Sequence, residues 1–199
     1  MTLSEQEAFD IAFSSRRVLL LLDVQKFTLL DPLEGGVPTS QKVKENISRI
    51  LTHARLAQPR PLIVHVRNCG DPGDLDEPKA PGWELIFEVD CSELVVDKRK
   101  NNAFTGTCLG DIIPTDAEIV VAGFLTDYTI RATCTDALRR GNEVLLIRNS
   151  HATHDRIEVL HGGGITPANR IEAEVEVELE EAGVHILDMK DVPGLFTNR

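Results

Sequence analysis

The sequence lacks both a concentration of basic residues and a long apolar stretch. Its 199 residues include 21 Lys and Arg against 32 Asp and Glu, which gives a formal charge of −11. Because phosphate binding needs a basic surface and the Lys and Arg residues here are dispersed, we expect no nucleic-acid partner. The longest apolar run, VLLLL at residues 18–22, is far shorter than a membrane span, so we expect no membrane partner either.

Cysteine is scarce, and no secretion signal is evident. The four cysteines show no CxxC or zinc-ligand spacing, which favours reduced thiols over a disulfide framework: Cys69, Cys91, Cys108 and Cys134. The first ten residues, MTLSEQEAFD, contain acidic groups and lack the apolar centre of a signal peptide. Together these absences predict a cytoplasmic protein.

The composition is that of a globular protein with one core. Hydrophobic residues make up 42% of the chain and charged residues 27%, and 199 residues suffice for one sizeable domain but not for two ordinary ones. We therefore predict a single domain over residues 1–199. Residues 1–16 are predicted to form an additional N-terminal helix that packs on the sheet or on a neighbouring subunit.

Short apolar runs alternate with segments of helical periodicity. Strands are predicted at residues 18–22, 62–66, 94–96, 118–122, 144–147 and 184–187, and helices at 40–56, 127–140 and 166–182. The alternation predicts a three-layer, Rossmann-like α/β fold, in which helices cover both faces of a six-stranded, mostly parallel sheet. A loop rich in Pro, Gly and Asp at residues 68–87 is long enough to be a lid or a binding loop.

Three polar groups follow predicted strands, where sites form in open α/β sheets. They are Asp23 with Gln25, Lys98, and the junction from Thr126 to Thr129, where a strand becomes a helix. The N–H groups of a first helical turn lack partners and can hold an anion or an oxyanion. Taken singly, Asp23 also suits a turn or a helix cap, Lys98 suits a solvated basic patch better, and Thr126 is expected to cap the helix.

Taken together, these motifs resemble the isochorismatase-like cysteine hydrolases, a superfamily that includes nicotinamidases and N-carbamoylsarcosine amidases. The matching elements are Asp-x-Gln after the first strand, a Lys five residues before Ala-Phe, and Gly-x-x-Thr-Asp before a helix. The resemblance runs from about residue 18 to 187. It implies a catalytic set of Asp, Lys and Cys, with Asp23 as general acid/base and Lys98 setting the site's charge and orienting the substrate.

The third member of this set departs from the family pattern. Members usually have Gly-x-x-Thr-x-x-Cys-Val, whereas residues 123–130 here are GFLTDYTI, so Thr129 occupies the cysteine position. A thiol at a helix N-terminus ionises easily, but an alcohol does not. Threonine could attack only if Asp23 removed its proton directly. Cys134 is not a substitute, because it lies on the apolar stripe of the helix and is expected to be a buried structural thiol.

The resemblance also implies the surroundings of the site. We expect a cis peptide bond at Phe124–Leu125, which would aim the N–H groups of Leu125 and Thr129 at one point as an oxyanion hole. Further substrate-binding candidates are polar and aromatic residues near the three motifs and in the long loop: Gln25, Phe27, Trp83, Phe104 and Tyr128, with Arg67 and Asn68 as additional candidates.

Neither a metal nor a cofactor is expected. Nicotinamidase-like members pair an Asp with two His after the second strand, and residues 68–82 contain no His. His65 is expected to be a core imidazole within a strand. His151, His154 and His161 show no ligand spacing and are expected to lie in a solvated loop.

Three functions remain open. The favoured one is acid catalysis by Asp23 on an isochorismate-like or related small anionic substrate bound by Lys98, since the isochorismatases proper protonate a vinyl ether without a cysteine. The second is an amide (C–N) hydrolase in which Thr129 attacks slowly or positions water. The third is a catalytically silent binding protein. The resemblance and the apolar N-terminal side chains also predict a homo-oligomer, a dimer or tetramer: Leu3, Phe9, Ile11 and Phe13.

Overall fold

The computed structural model describes residues 16–158 and 162–197. The predicted N-terminal helix, apart from Arg16, lies outside these ranges, and so does His161.

The strands are arranged as one large parallel sheet and one small hairpin. In chain order they are β1 (Arg17–Leu22), β2 (Leu62–Asn68), β3 (Leu94–Lys98), β4 (Glu118–Phe124), β5 (Glu143–Ala152), β6 (Arg156–Glu158), β7 (Gly164–Thr166) and β8 (His185–Leu187). The sheet has the order β3-β2-β1-β4-β5-β8, and each neighbouring pair is parallel. Strands β6 and β7 form an antiparallel pair. The predicted six-stranded α/β fold is confirmed, and the hairpin was not predicted because each of its strands has only three residues.

The helices connect the strands and cover both faces of the sheet. They are α1 (Ser40–Leu56), α2 (Leu109–Ile112), α3 (Arg131–Arg140), α4 (Ala168–Ala182) and α5 (Val192–Leu195). The three predicted helices correspond to α1, α3 and α4. Gly141 and Gly183 end α3 and α4 in the left-handed conformation, with φ of 100° and 110°. Within the described ranges, no helix combines the length and the apolar character needed to cross a bilayer.

Strand β1 is the centre of the core because both of its faces are covered. Val18, Leu20 and Leu22 pack against α2, α3 and α4, whereas Leu19 and Leu21 pack against α1 and α5. All five side chains are fully buried. A parallel strand covered on both faces has no polar side, which explains the continuous apolar run.

Strand β5 is longer than the sequence indicated. The prediction ended this strand at residue 147, but it continues to Ala152. The register between β4 and β5 shifts after Val121, so that Gly123 pairs with His151, and Asn149 has a φ of 62°. The polar residues RNSH therefore belong to the strand, and His151 lies in the sheet rather than in a solvated loop.

A buried carboxylate anchors the start of β3, the strand that ends at Lys98. The Glu93 side chain is fully buried and accepts hydrogen bonds from Arg55 Nε (2.7 Å) and Arg60 Nη2 (3.0 Å), and its Oε2 lies 2.8 Å from His65 Nε2. Burial alone would raise the pKa of Glu93, but the hydrogen bonds from Arg55 and His65 outweigh it and hold the pKa at about 2. His65 is thus a paired core imidazole, as expected.

This cluster predicts an acid-sensitive contribution to stability. Because the pKa of Glu93 is lowered from 4.5 to about 2, its contribution is complete above about pH 4.5 and is lost as the pH falls toward 2. The shift corresponds to roughly 3 kcal/mol at most. Glu93→Gln should therefore lower the free energy of unfolding at pH 7 and flatten its decline between pH 4.5 and 2, measured by urea denaturation.

The exposed carboxylate of Glu88 in the same loop provides the control. Glu88→Gln should leave the acid dependence of the unfolding free energy as in the parent chain. An unchanged decline in Glu93→Gln would show that the buried cluster does not set this dependence.

Candidate active site

Three side chains from separate strand ends meet at the carboxyl edge of the sheet. Thr129 Oγ1 donates a 2.6 Å hydrogen bond to Asp23 Oδ2, and Lys98 Nζ lies 3.0 Å from Asp23 Oδ1. Lys98 Nζ is also 3.4 Å from Thr129 Oγ1. All three residues are at most 3% exposed. Lys98 therefore does not belong to a solvated patch, and the Asp23 carboxylate faces Lys98 and Thr129 rather than capping a helix.

The environment of Asp23 makes its carboxyl easier to protonate than that of an exposed aspartate. Burial raises the pKa of Asp23, and the Lys98 charge and the hydrogen bond from Thr129 oppose this only in part. Oδ1 contacts Lys98 as an ion pair but has no aligned hydrogen bond, whereas Oδ2 is bonded to Thr129. The two carboxyl oxygens therefore have different surroundings, an ammonium group beside Oδ1 and a hydroxyl donor at Oδ2.

The backbone at Asp23 and at Gly123 brings the strand ends close together. Asp23 adopts a left-handed conformation with φ of 53°, and its N–H donates to Val66 O at 2.9 Å. On β4, a Cβ at Gly123 would lie only 2.0 Å from Leu22 O, and Gly123 has a φ of 145°. Only glycine fits there, because the chain passes so close to β1.

Asn68 holds Lys98 in place. The sequence had suggested Asn68 only as an additional substrate-binding candidate. Lys98 Nζ donates to Asn68 Oδ1 at 3.0 Å, and Asn68 Nδ2 donates to Asp76 Oδ2 at 2.6 Å. The Gln25 amide donates to Asn68 O and Trp83 O at 3.0 Å and accepts from Asn68 N at 2.8 Å. Gln25 therefore ties the long loop to the site, and its contact with a substrate stays a prediction.

The aromatic candidates lie in different places. The Arg67 guanidinium stacks 3.4 Å from the centre of the Trp83 ring, and Trp83 Nε1 donates to Cys69 Sγ at 3.3 Å, next to Asn68. Phe27 is buried beside this loop, and Tyr128 is half exposed on the turn that carries Thr129.

Phe104 is not brought to the group formed by Asp23, Lys98 and Thr129. Its ring packs against the core and lies 4.6 Å from the Arg140 guanidinium, at the end of α3 remote from Thr129. Its assignment to the substrate site therefore has no support from the contacts of the ring.

The turn that carries Thr129 differs from the expectation. No cis bond occurs at Phe124–Leu125 in the described chain. Instead, Leu125 is left-handed (φ 63°, ψ 61°) and turns the chain into a wide helical turn, Thr126–Ile130. The Leu125 carbonyl accepts N–H groups of that turn, including Thr129 N at 2.8 Å. The Thr129 N–H therefore already has a partner, and the oxyanion hole at Leu125 and Thr129 stays a prediction.

The Thr126 hydroxyl does not cap the helix either. Thr126 Oγ1 lies 3.0 Å from His151 Nδ1, and both residues are buried. The sequence analysis missed His151 because the predicted strand stopped too early. The position of His151 at the carboxyl end of an apolar strand was the signal that could have identified it.

Cys134 is a buried thiol, as expected. Cys134 is fully buried in the core, and burial raises its pKa to about 12, so it is inert as a nucleophile. Among the described residues, no group of three or more His, Cys, Asp and Glu side chains is arranged to hold a metal ion.

Comparisons with known proteins identify the family of this chain. The sequence profile of the isochorismatase domain matches residues 17–162, and the chain belongs to the isochorismatase family. It is 39% identical over 144 residues to a streptothricin hydrolase from Streptomyces noursei and 36% identical over 143 residues to another. These matches cover 70% of this chain but 55% and 50% of the relatives. The chain thus spans about half the length of these curated relatives.

Solved structures show the same fold over nearly the whole chain. A hydrolase of the isochorismatase family from Chromobacterium violaceum is 26% identical, with a TM-score of 0.80 over 92% of this chain and 95% of that one. An isochorismatase from Pseudomonas putida is 25% identical, with a TM-score of 0.79 over 91% of this chain and 90% of that one. The family and the fold expected from the motifs are therefore confirmed.

The buried ion pair predicts a specific pattern of stability. Lys98→Met should lower the free energy of unfolding at pH 7 by about 3 kcal/mol or more, because it leaves Asp23 buried without its cation. Adding Asp23→Asn should recover most of that loss, since a neutral amide is less costly to bury. Urea denaturation of the parent chain, the single variant and the double variant measures both effects.

Lys100→Met, which removes an exposed lysine two residues further on, is the matched control and should change stability by less than about 0.5 kcal/mol. A double variant that is no more stable than Lys98→Met would contradict the coupling of the two charges.

Proposed function

We propose that this isochorismatase-family protein is a hydrolase that acts by acid catalysis from Asp23 on a small anionic substrate. The observation that carries the proposal is the buried Asp23 carboxyl, whose pKa is raised by burial while its Oδ1 lacks an aligned hydrogen bond. A general acid works best when its pKa is near the working pH. The isochorismate-like class of substrate, an enol ether bearing carboxylate groups, suits such an acid.

The proposed hydrolysis needs only Asp23 and a water molecule to move protons. Asp23 Oδ1 gives a proton to the enol-ether carbon, and water adds to the resulting oxocarbenium ion. The hemiketal that forms breaks its ether bond to release an alcohol and a carbonyl product, and the proton that the water loses returns to Asp23. Thr129 fixes Oδ2 by its 2.6 Å hydrogen bond, so the carboxyl group is held with Oδ1 toward the substrate.

Lys98 supplies the positive charge in this account. It is buried beside Asp23, and Asn68 fixes its ammonium group. In a chain with a formal charge of −11, a fixed buried cation gives an anionic substrate a defined place to bind. Trp83 and Phe27, near the segments that Gln25 holds together, would contact its apolar part.

A second candidate function is amide hydrolysis with Thr129 as nucleophile. It is favoured by the 2.6 Å hydrogen bond, through which Asp23 could remove the Thr129 proton directly. The absence of a free Thr129 N–H argues against it, because acyl transfer depends on donors aimed at the developing oxyanion. The curated relatives are named as streptothricin hydrolases, so a streptothricin belongs in the substrate panel.

We also propose that the chain is one cytoplasmic domain that forms a homo-oligomer. Ile157 and Ile165 are register partners on the β6–β7 hairpin and are each 66% exposed, so they form an exposed apolar pair. Burial of these side chains between subunits would supplement that of the N-terminal segment.

Kinetics of two variants test the proposed catalytic roles. Asp23→Asn should reduce turnover of an isochorismate-like enol ether by roughly 10²- to 10⁴-fold, the usual worth of a general acid. Thr129→Ala should retain much of the activity, because it removes only an orienting hydroxyl. A Thr129→Ala variant as inactive as Asp23→Asn, or a covalent ester at Thr129 seen by mass spectrometry, would favour the amidase instead.

The pH dependence of kcat distinguishes the two mechanisms, because they predict opposite changes. Acid catalysis needs the protonated Asp23, so kcat should fall as the pH rises through its raised pKa. A threonine nucleophile needs the carboxylate, and kcat would then rise through the same pKa. No turnover of enol ethers, small amides or a streptothricin at any pH would instead favour a silent binding protein.

A further inference from the structure

A buried chain of contacts joins the turn that carries Thr129 to strand β5 and helix α4. Thr126 Oγ1 lies 3.0 Å from His151 Nδ1, and His151 Nε2 lies 3.2 Å from Glu176 Oε1. Thr126 is fully buried and His151 is 2% exposed. No motif of the sequence analysis assigned a role to His151 or Glu176, and the acid chemistry described above does not use them.

The backbone of β5 is shaped to place the His151 ring under the turn. The register shift after Val121 sets Gly123 opposite His151, and Gly123 lies only three residues before Thr126. Asn149 adopts a left-handed conformation with φ of 62°, which is uncommon outside glycine, and Ser150 Oγ donates to Ile147 O at 2.7 Å. With this backbone the His151 ring lies beside the Thr126 hydroxyl.

The charges around the ring select one tautomer. Burial would raise the pKa of Glu176, but His151 and Arg148 hold it below its usual value, so its carboxylate is ionised. Arg148 Nε donates to Glu176 Oε2 at 2.8 Å, and Glu172, whose pKa is raised by burial, accepts from Thr153 N at 3.1 Å. A carboxylate beside Nε2 favours the tautomer with its proton on that nitrogen, although the contact is too misaligned for a hydrogen bond. In that tautomer Nδ1 accepts and the Thr126 hydroxyl donates to it.

The turn itself needs an external support. Leu125 is in the left-handed conformation, which is unfavourable for a residue with a side chain. The N–H groups of Tyr128, Thr129 and Ile130 all point at the single Leu125 carbonyl. The Thr126 hydroxyl therefore supplies a side-chain bond that fixes the start of the turn to the sheet.

We propose that His151, oriented by Glu176, is a positioning residue that acts through Thr126 to hold the Thr126–Ile130 turn and so to aim Thr129 Oγ1 at Asp23. The consequence for catalysis rests on the proposed function. The geometric claim does not, and it can be tested without a substrate.

The test uses a reporter thiol in place of the Thr129 hydroxyl. In the Thr129→Cys background, the rate of alkylation by iodoacetamide as a function of pH gives the midpoint at which the thiol ionises. That midpoint depends on the distance from the thiol to Lys98 and Asp23, because a nearby ammonium lowers a thiol pKa. Adding Thr126→Val, which keeps the side-chain shape but removes the hydroxyl, should shift the midpoint by about 1 unit.

Substitutions of His151 separate a positioning role from a general structural one. His151→Leu should shift the midpoint as Thr126→Val does, whereas His151→Asn, whose amide oxygen can replace Nδ1 as acceptor, should keep it near the reporter's value. His185→Leu is the matched control, because His185 Nε2 faces Glu143 at 3.7 Å in a solvent-exposed pair. His185→Leu should leave the midpoint unchanged.

Chemical rescue adds a readout that loss of packing cannot mimic. A cavity of about 310 Å³ lined by His151, Glu176, Lys42 and Asn169 opens beside the ring, so added imidazole can reach the space left by His151→Ala. Imidazole should return the midpoint toward the reporter's value in His151→Ala and should have no effect in Thr126→Val.

The outcomes decide the proposal separately from the proposed function. An unchanged midpoint in Thr126→Val or in a folded His151→Leu would overturn it, and so would an equal shift in His185→Leu. If His151→Leu does not fold, Thr126→Val and His151→Asn carry the test. In the chain with Thr129 intact, His151→Leu should lower kcat by no more than Thr129→Ala does, with little change in KM. A parent chain without hydrolase activity, combined with shifted thiol midpoints, would refute the proposed function and leave the positioning role in place.

Discussion

The buried contact between Asp23 and Lys98 is the interaction on which the arrangement of this edge of the sheet depends. Two opposite charges 3.0 Å apart and almost without solvent are costly to bury and are tolerated only when held by further bonds. Thr129 and Asn68 supply those bonds, one to each charge. Burying this ion pair therefore lowers the stability of the fold, and such unfavourable burial of charge is typical of a functional site.

The parallel sheet explains how residues 31 to 106 positions apart come together. Strands β1, β3 and β4 deliver Asp23, Lys98 and Thr129 to one edge, because parallel strands end on the same side. A second buried cluster lies at the opposite end of β3. The carboxylate of Glu93, with its two arginines and His65, anchors the start of β3 and thereby fixes where Lys98 emerges.

The periodic strands and the motif residues could be predicted from the sequence, whereas features that depend on individual side chains and local backbone conformation could not. The six strands and Asp23, Lys98 and Thr129 followed from apolar periodicity and from family spacing. The conformation of Leu125 did not follow, because a left-handed leucine has no signature in a sequence. His151 was missed because the polar residues around it ended the apolar pattern, whereas β5 continues past an irregularity in its pairing with β4.

The proposed acid is the buried Asp23 carboxyl, whose pKa is raised, and NMR can observe that group directly. Carbon-13 labelling of aspartate followed by a pH titration gives the pKa of each carboxyl, and the signal absent in Asp23→Asn identifies Asp23. We expect a midpoint well above the ordinary value of 3.8 and a further increase in Lys98→Met. A midpoint at or below 3.8 would contradict the proposal that Asp23 acts as the acid.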